Sequence, residues 1–292
     1  MSKEVDALAA NKTWIVTSLP PGKCTIGSRW VYKLKLHPDG SIDRYKSRLL
    51  AKGYNQIKGV DYFDSFFPVA KAITVRIFRS LPPSNAWPLL QLDVNNAFLH
   101  GFLEEDVYMD PPESLLGVPF GQVRKLQRSL YGLKQASRQW NLELTTQLLA
   151  FSFHQSSYEQ CRFIYRTSSD FTALLVYVDD ILLTGFSSSA LNSVKSYLDC
   201  LFTIKDLSTT KYFLGLELTR SSHGLQDILA NTSMLDAKPA STPLPPGLKL
   251  VLADGSLLLD PNRFRLLVGC FLYLGFTRPD ISLAVQQLSQ FL

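Results

Sequence analysis

The sequence predicts an α+β fold built on a split ferredoxin-like unit, β-α-β-β-α-β, with a β-hairpin ahead of it. Three observations predict it. Arg29–Leu36 alternates between two faces, the period of a strand. Ala136, Trp140, Leu144 and Leu148 recur every four residues, the stripe of an amphipathic helix. Leu174–Leu183 is an apolar run interrupted by Asp179 and Asp180, as a tight hairpin would be.

In chain order, the first hairpin puts Trp30, Tyr32, Leu34 and Leu36 on one face and Val31, Lys33 and Lys35 on the other. His37-Pro38-Asp39-Gly40 supplies turn chemistry, and the return strand sets Arg44, Lys46 and Arg48 against Tyr45 and Leu49. Such a hairpin suits a phosphate chain on its cationic wall; an ordinary exposed ribbon has the same pattern. A strand at Leu89–Val94 leads into an acidic stretch, Glu104 to Glu113, and a helix follows over about Leu133–Ala150. Next come strands at Phe171–Val178 and Ile181–Thr184 around a turn at Asp179-Asp180. Ser187, Ser188 and Ser189 offer N-caps for a helix with Leu191, Val194, Leu198 and Leu201 inward. A last strand runs over about Tyr212–Thr219, and the proline-rich Ala237–Gly247 reads as a linker.

Composition narrows the function. The chain of 292 residues is 46% hydrophobic and only 19% charged, which excludes a disordered tail. Four scattered cysteines with no C-x-x-C pair exclude a disulfide scaffold and a zinc knuckle, and the four histidines show no ligand spacing. No apolar h-region opens the chain, and the longest apolar run, Leu266–Phe276, has 11 residues, too short for a membrane span. Charge is concentrated locally: Lys23–Lys58 holds nine bases against Asp39 and Asp43. Arg124, Lys125, Arg128, Lys134 and Arg138 form a second basic cluster. Two such clusters point toward a polyanionic partner. Pro20-Pro21-Gly22-Lys23-Cys24 fails as a phosphate loop, because Thr17 occupies the first glycine position and Cys24 the Ser/Thr position.

The chemistry rests on acids in apolar surroundings. Asp179 and Asp180 repel each other and resist desolvation, so they are tolerated there only if exposed or bound to cations. An Asp-Asp turn pair is the plainer reading. Asp93, inside the apolar strand Leu92-Asp93-Val94, adds a third carboxylate that meets the other two if the strands are neighbours. Three carboxylates beside cations describe a two-magnesium phosphoryl-transfer site, in which Mg²⁺ keeps positions for phosphate oxygens and water. No Ser/His/Asp or Cys/His pairing competes for the role.

Over nearly its whole length, about Val5 to Leu292, the chain resembles the reverse transcriptase of copia-type LTR retrotransposon Pol polyproteins. The matching blocks include Thr13-Trp14, Ile26-Gly27-Ser28-Arg29-Trp30-Val31-Tyr32-Lys33 and Asp39-Gly40-Ser41-Ile42-Asp43-Arg44-Tyr45-Lys46-Ser47-Arg48. They continue with Gln91-Leu92-Asp93-Val94-Asn95-Asn96-Ala97-Phe98-Leu99-His100-Gly101 and Ser129-Leu130-Tyr131-Gly132-Leu133-Lys134-Gln135-Ala136. Tyr177-Val178-Asp179-Asp180, Tyr212-Phe213-Leu214-Gly215-Leu216-Glu217 and Thr277-Arg278-Pro279-Asp280-Ile281 complete the series.

The resemblance implies a right-hand polymerase fold with a ferredoxin-like palm, a fingers hairpin and a truncated thumb. It implies fingers at 1–70 and 101–136, palm at 71–100 and 137–219, and a truncated thumb or connection-like segment at 220–292 without ribonuclease H. Asp93, Asp179 and Asp180 would be catalytic and hold two Mg²⁺ ions. Lys46, Arg48, Phe98 and Gly132 would bind the dNTP, with Phe98 as the gate against a 2′-hydroxyl. Tyr177, Phe213, Leu214, Gly215 and Lys134 would contact primer and template.

The implied partners are an RNA or DNA template with primer, dNTPs and the rest of a Pol polyprotein, with no membrane. The implied setting is a cytoplasmic virus-like particle, the nucleus, or both. Several positions depart from the family pattern: Pro82-Pro83, Phe67, Phe102, and a gap of roughly eight residues after Gly224-Leu225. They support a second reading, a catalytically silent retroelement fragment that at most binds nucleic acid. A palm-based nucleotide cyclase also uses paired carboxylates, but it leaves the basic hairpin and the Tyr212–Glu217 block without a role.

Overall fold

The computed structural model describes residues 2–37, 39–71, 73–78, 87–112, 121–209, 212–213, 216–217, 260–275 and 278–291, with single positions 119, 236, 238 and 258. Two compact units divide the chain: Met1–Lys71 with Leu81–Thr209, and Ala72–Ser80 with Thr210–Leu292. The Pro82-Pro83 pair, the segment after Gly224-Leu225, and Leu214 and Gly215 lie outside the described residues.

The first unit begins with helix α1 (Ser2–Ala10) and strands β1 (Trp14–Ser18) and β2 (Thr25–Ile26). The hairpin β3 (Ser28–Leu36) and β4 (Ile42–Ala51) follows, then β5 (Leu89–Val94), a 3₁₀ turn at Ala97–His100, β6 (Tyr108–Met109) and β7 (Gln122–Leu126). After helix α2 (Ala136–Ala150) come β8 (His154–Gln155), β9 (Arg162–Arg166), β10 (Phe171–Tyr177) and β11 (Asp180–Gly185). Helix α3 (Ser188–Phe202) and β12 (Ile204–Thr209) complete the unit.

The main sheet has the order β12-β5-β11-β10-β9-β8, and every pair in it is antiparallel. Chain order explains it: strand β5, helix α2, the hairpin β10–β11, helix α3 and strand β12 interleave around the first strand. One face carries Leu92, Val94, Leu174, Val176, Ile181 and Leu183 against Trp140, Leu144 and Leu148 of α2 and Leu191, Val194 and Leu198 of α3. Each such fully buried side chain contributes roughly 1.5–3 kcal/mol. Because strand side chains alternate, the same register sends Gln91, Asp93 and Asp180 to the opposite face.

A second core gathers Leu8 of α1, Leu49 and Ala51 of β4, Leu99, Met109, Leu126 and Leu130. Glu4 of α1 is drawn into it: the carboxylate is 7% exposed and accepts the Leu49 amide at 3.4 Å. Burial raises its pKa, against the opposing pull of that amide and of Arg48 and Lys46. A carboxyl whose folded pKa is raised loses stability as pH climbs from its ordinary value through the folded one. Glu4→Gln, which retains an acceptor and loses the charge, is expected to raise Tm by roughly 1–3 °C at pH 7. The gain should vanish near pH 4 in thermal scans.

The second unit, described by itself, contains a helical segment at 73–78, the short pair β13 (Tyr212–Phe213) and β14 (Leu216–Glu217), helix α4 (Pro261–Leu274) and helix α5 (Ser282–Ser289). Arg76 donates from Nη2 to the Gly275 carbonyl at 2.6 Å, tying the early segment to the end of α4. Among the described residues no helix is long and apolar enough to cross a membrane.

Four local expectations change. Helix α2 starts at Ala136, not Leu133, because the preceding residues are pinned to the β4 end: Ala51 N–H donates to Tyr131 O at 2.8 Å, and Lys134 N–H donates to Gln56 Oε1 at 2.8 Å. The acidic turn is Val178-Asp179, since Asp180 already pairs with Tyr177 in the ladder. Helix α3 buries Phe202 instead of Leu201, because the Phe202 ring packs 5.3 Å from His100 and 5.1 Å from Trp140. The strand that closes the main sheet is Ile204–Thr209; Tyr212-Phe213 belongs to a separate hairpin.

Candidate active site

Asp93 sits in β5 directly opposite Asp180 at the start of β11, and Val94 N–H donates to the Asp179 carbonyl at 2.9 Å. Cα atoms so paired lie about 4.5–5.5 Å apart. Asp93 and the Asp179-Asp180 pair, more than eighty positions apart in the chain, therefore meet at one end of the β5–β11 ladder, and each remains partly open to water. The turn that carries two of them is strained: Val178 has φ +57°, a left-handed conformation that costs a β-branched residue on the order of 1–3 kcal/mol. Trp140 of α2 reaches this turn, its indole N–H donating to the Val178 carbonyl at 2.7 Å.

The local field is one of crowded negative charge. Burial, then the Asp179 charge, raises the Asp93 pKa, while Lys46, Lys205 and Arg48 pull it down. Burial likewise raises Asp180, offset by a hydrogen bond from Gln91 Nε2 at 3.1 Å and reinforced by Asp179 and Asp93. Among the described residues no three His, Cys, Asp or Glu side chains form a ready-made metal cluster. The donor set nonetheless fits Mg²⁺: three hard carboxylates, two of which, Asp93 and Asp180, are disfavoured in their charged forms by burial and by neighbouring acids, a penalty that a divalent cation relieves.

The β3–β4 hairpin has two walls, as its alternation requires. Val31, Lys33 and Lys35 pair with Arg48, Lys46 and Arg44, while Trp30, Tyr32 and Leu34 pair with Leu49, Ser47 and Tyr45. The apolar wall is exposed at its outer end, with Tyr32 66% and Tyr45 79% accessible. Burial, then its cationic neighbours Arg48, Lys35 and Arg44, lowers the Lys46 pKa, and the Asp93 charge opposes them. The Arg48 guanidinium lies 3.9 Å over the Tyr131 ring, and its buried Nε has no hydrogen-bond partner among the described residues. Tyr131 in turn packs against Phe98 with centroids 4.9 Å apart.

Gly132 has φ +94°, and a Cβ there would stand 2.2 Å from the Ala51 carbonyl oxygen; its backbone lies flat against β4. Lys134 is exposed, and Tyr177 flanks Asp180 in the ladder. Phe213, in the other unit, is buried at 1% exposure. The second basic cluster is largely occupied within the fold. Arg124 stacks 4.3 Å from the Trp14 ring, Lys125 pairs with Asp106 at 2.5 Å, and Arg138 pairs with Asp64 at 3.3 Å. Arg128 lies 3.4 Å over the Phe102 ring, so that departure from the family pattern has a local cation partner.

Two residues escaped the sequence reading. Lys205 of β12 stands opposite Asp93 on the side away from Asp180, and no period-2 pattern in the sequence marks β12 as a strand. Trp140 read only as part of a core stripe, since spacing carries no sign of where an indole N–H points.

A family model described as reverse transcriptase (RNA-dependent DNA polymerase) matches residues 11–243. The chain belongs to the reverse transcriptase family. It is 44% identical over its full length to the retrovirus-related Pol polyprotein from transposon RE1 of Arabidopsis thaliana, and covers 21% of that protein. It is 36% identical to the Pol polyprotein from transposon TNT 1-94 of Nicotiana tabacum, covering all of this chain and 23% of the relative. These matches show the copia-type retrotransposon character read from the motifs, and the chain spans about a fifth of the length of these curated relatives. Among solved structures, a foamy viral protease-reverse transcriptase in complex with double-stranded DNA aligns over 99% of this chain and 42% of that one, at 13% identity and a TM-score of 0.41.

Proposed function

We propose that this reverse transcriptase family chain is an RNA-directed DNA polymerase that extends a primer on an RNA or DNA template with dNTPs. The observation that carries the reading is the register of Asp93 against Asp180, with Asp179 on the adjoining turn. On this reading the six-stranded sheet is a ferredoxin-like palm, the segments 1–70 and 101–136 are fingers, and helices α4 and α5 belong to a thumb or connection-like segment.

The primer 3′-oxygen attacks the α-phosphorus of the dNTP, forming one P–O bond as the bond to pyrophosphate breaks. Two Mg²⁺ ions held by Asp93, Asp179 and Asp180 would neutralise the charge that develops on the phosphates. Arg48 and Lys46, on one wall of the hairpin, bind the triphosphate charge against charge. Phe98, braced by Tyr131, lies under the sugar, and Gly132, whose missing Cβ admits the Ala51 carbonyl, stands beside the nascent pair. Lys134 and Tyr177 contact primer and template.

Primer extension on an RNA template with Mg²⁺ tests this, comparing the unmodified chain with Asp179→Asn. Incorporation by the former alone is expected. Equal incorporation by both removes the assignment, and none by either leaves a silent family member.

A further inference from the structure

We infer that Trp140 is a positioning residue for the acidic turn, its indole N–H holding the Val178 carbonyl so that Asp179 and Asp180 keep their places beside Asp93. The inference deepens the polymerase reading and rests on it. The donor lies 2.7 Å from the acceptor, and Trp140 is 2% exposed, so the indole is held in the core and not free to turn away. The turn needs an external tether because Val178, with its branched Cβ, is left-handed at φ +57°.

Two successive carbonyls are held from opposite sides. Val178 O is held by Trp140, and Asp179 O by Val94 N–H at 2.9 Å, next to Asp93 in the neighbouring strand. Trp140 is itself fixed in place. Its ring packs 5.9 Å from His100 and 5.1 Å from Phe202, and a Cβ on Gly101 would come within 2.7 Å of the Trp140 backbone nitrogen. The helix bearing Trp140 is thus seated on the segment that follows Asp93, and its indole reaches the turn bearing the other two acids. Without the N–H, the Val178 carbonyl loses its partner and the turn is free to relax toward negative φ, which swings both aspartates.

Trp140→Phe keeps an aromatic ring and removes the donor. The expected result is a chain that folds, with Tm within a few degrees of the unmodified one. Its kcat for primer extension should be at least roughly tenfold lower and its KM for dNTP within about twofold. Without substrate, Mn²⁺ titrated by water-proton relaxation should half-saturate at a concentration at least about threefold higher. Adding Val178→Asn, a residue that tolerates the left-handed region, should recover part of both losses.

Unchanged kcat and Mn²⁺ affinity in Trp140→Phe overturn the inference. So does a loss that disappears on cooling in step with the folded fraction, which marks a core filler. If phenylalanine unfolds the chain, benzothienylalanine at position 140 keeps the bicyclic shape without the N–H and yields the same comparison. An unmodified chain that binds Mn²⁺ more tightly than Trp140→Phe yet never extends a primer sinks the polymerase reading and leaves the tether standing.

Discussion

Asp93→Asn is expected to reduce primer extension on the order of a thousandfold or more while raising the melting temperature by roughly 1–4 °C at neutral pH. The two effects have one origin. Burial and the neighbouring Asp179 disfavour the Asp93 carboxylate, so its ionised form destabilises the fold above the ordinary carboxylate range. Asparagine keeps the shape and removes the charge, relieving the repulsion and abolishing a metal ligand at once. The stabilisation should fade as pH falls below the ordinary aspartate pKa, where both proteins carry a neutral group. Thermal scans across pH alongside single-nucleotide incorporation check both halves. A variant that is less stable at pH 7, or that still incorporates, contradicts the assignment of Asp93.

Gly132→Ala is expected to cost about 3–4 kcal/mol or more and to unfold the first unit near physiological temperature. Two penalties coincide. Gly132 is left-handed at φ +94°, and its new methyl would sit 2.2 Å from the Ala51 carbonyl oxygen. That oxygen belongs to backbone, so no rotamer change makes room. The crossing is tight from both sides, since a Cβ on Gly53 would lie 2.0 Å from the Gly132 carbonyl oxygen. Gly59→Ala is the control: it has φ +83° and nothing within 4 Å, so only the conformational penalty of about 1 kcal/mol remains. Denaturant unfolding that finds the two variants equally stable would show that the close crossing does not exist in solution.

The site was legible where chemistry and spacing coincide. Paired acids interrupting an apolar hairpin, and a third acid inside an apolar strand, locate Asp93, Asp179 and Asp180, and alternation sorts the β3–β4 walls correctly. Legibility failed where tertiary packing overrides local pattern. Val178 gives no sequence sign of a left-handed φ, so the pattern points to a turn one residue later than the one the chain forms. Leu201 and Phe202 satisfy the same helical period, and the rings of His100 and Trp140 choose between them. Ile204–Thr209 mixes polar and apolar residues without a clean period, which hid both the closing strand and Lys205. The bases from Arg124 to Arg138 looked like a polyanion surface because sequence does not reveal that Trp14, Phe102, Asp106 and Asp64 engage most of them.

The stack of Arg48, Tyr131 and Phe98 has an evolutionary consequence. On the proposed reading, one end of the stack screens the sugar and the other grips the triphosphate, and a single phenol ring touches both. Substitutions at Tyr131 would therefore change fidelity and substrate affinity together, so a lineage adapting to scarce nucleotides would not tune one trait without disturbing the other.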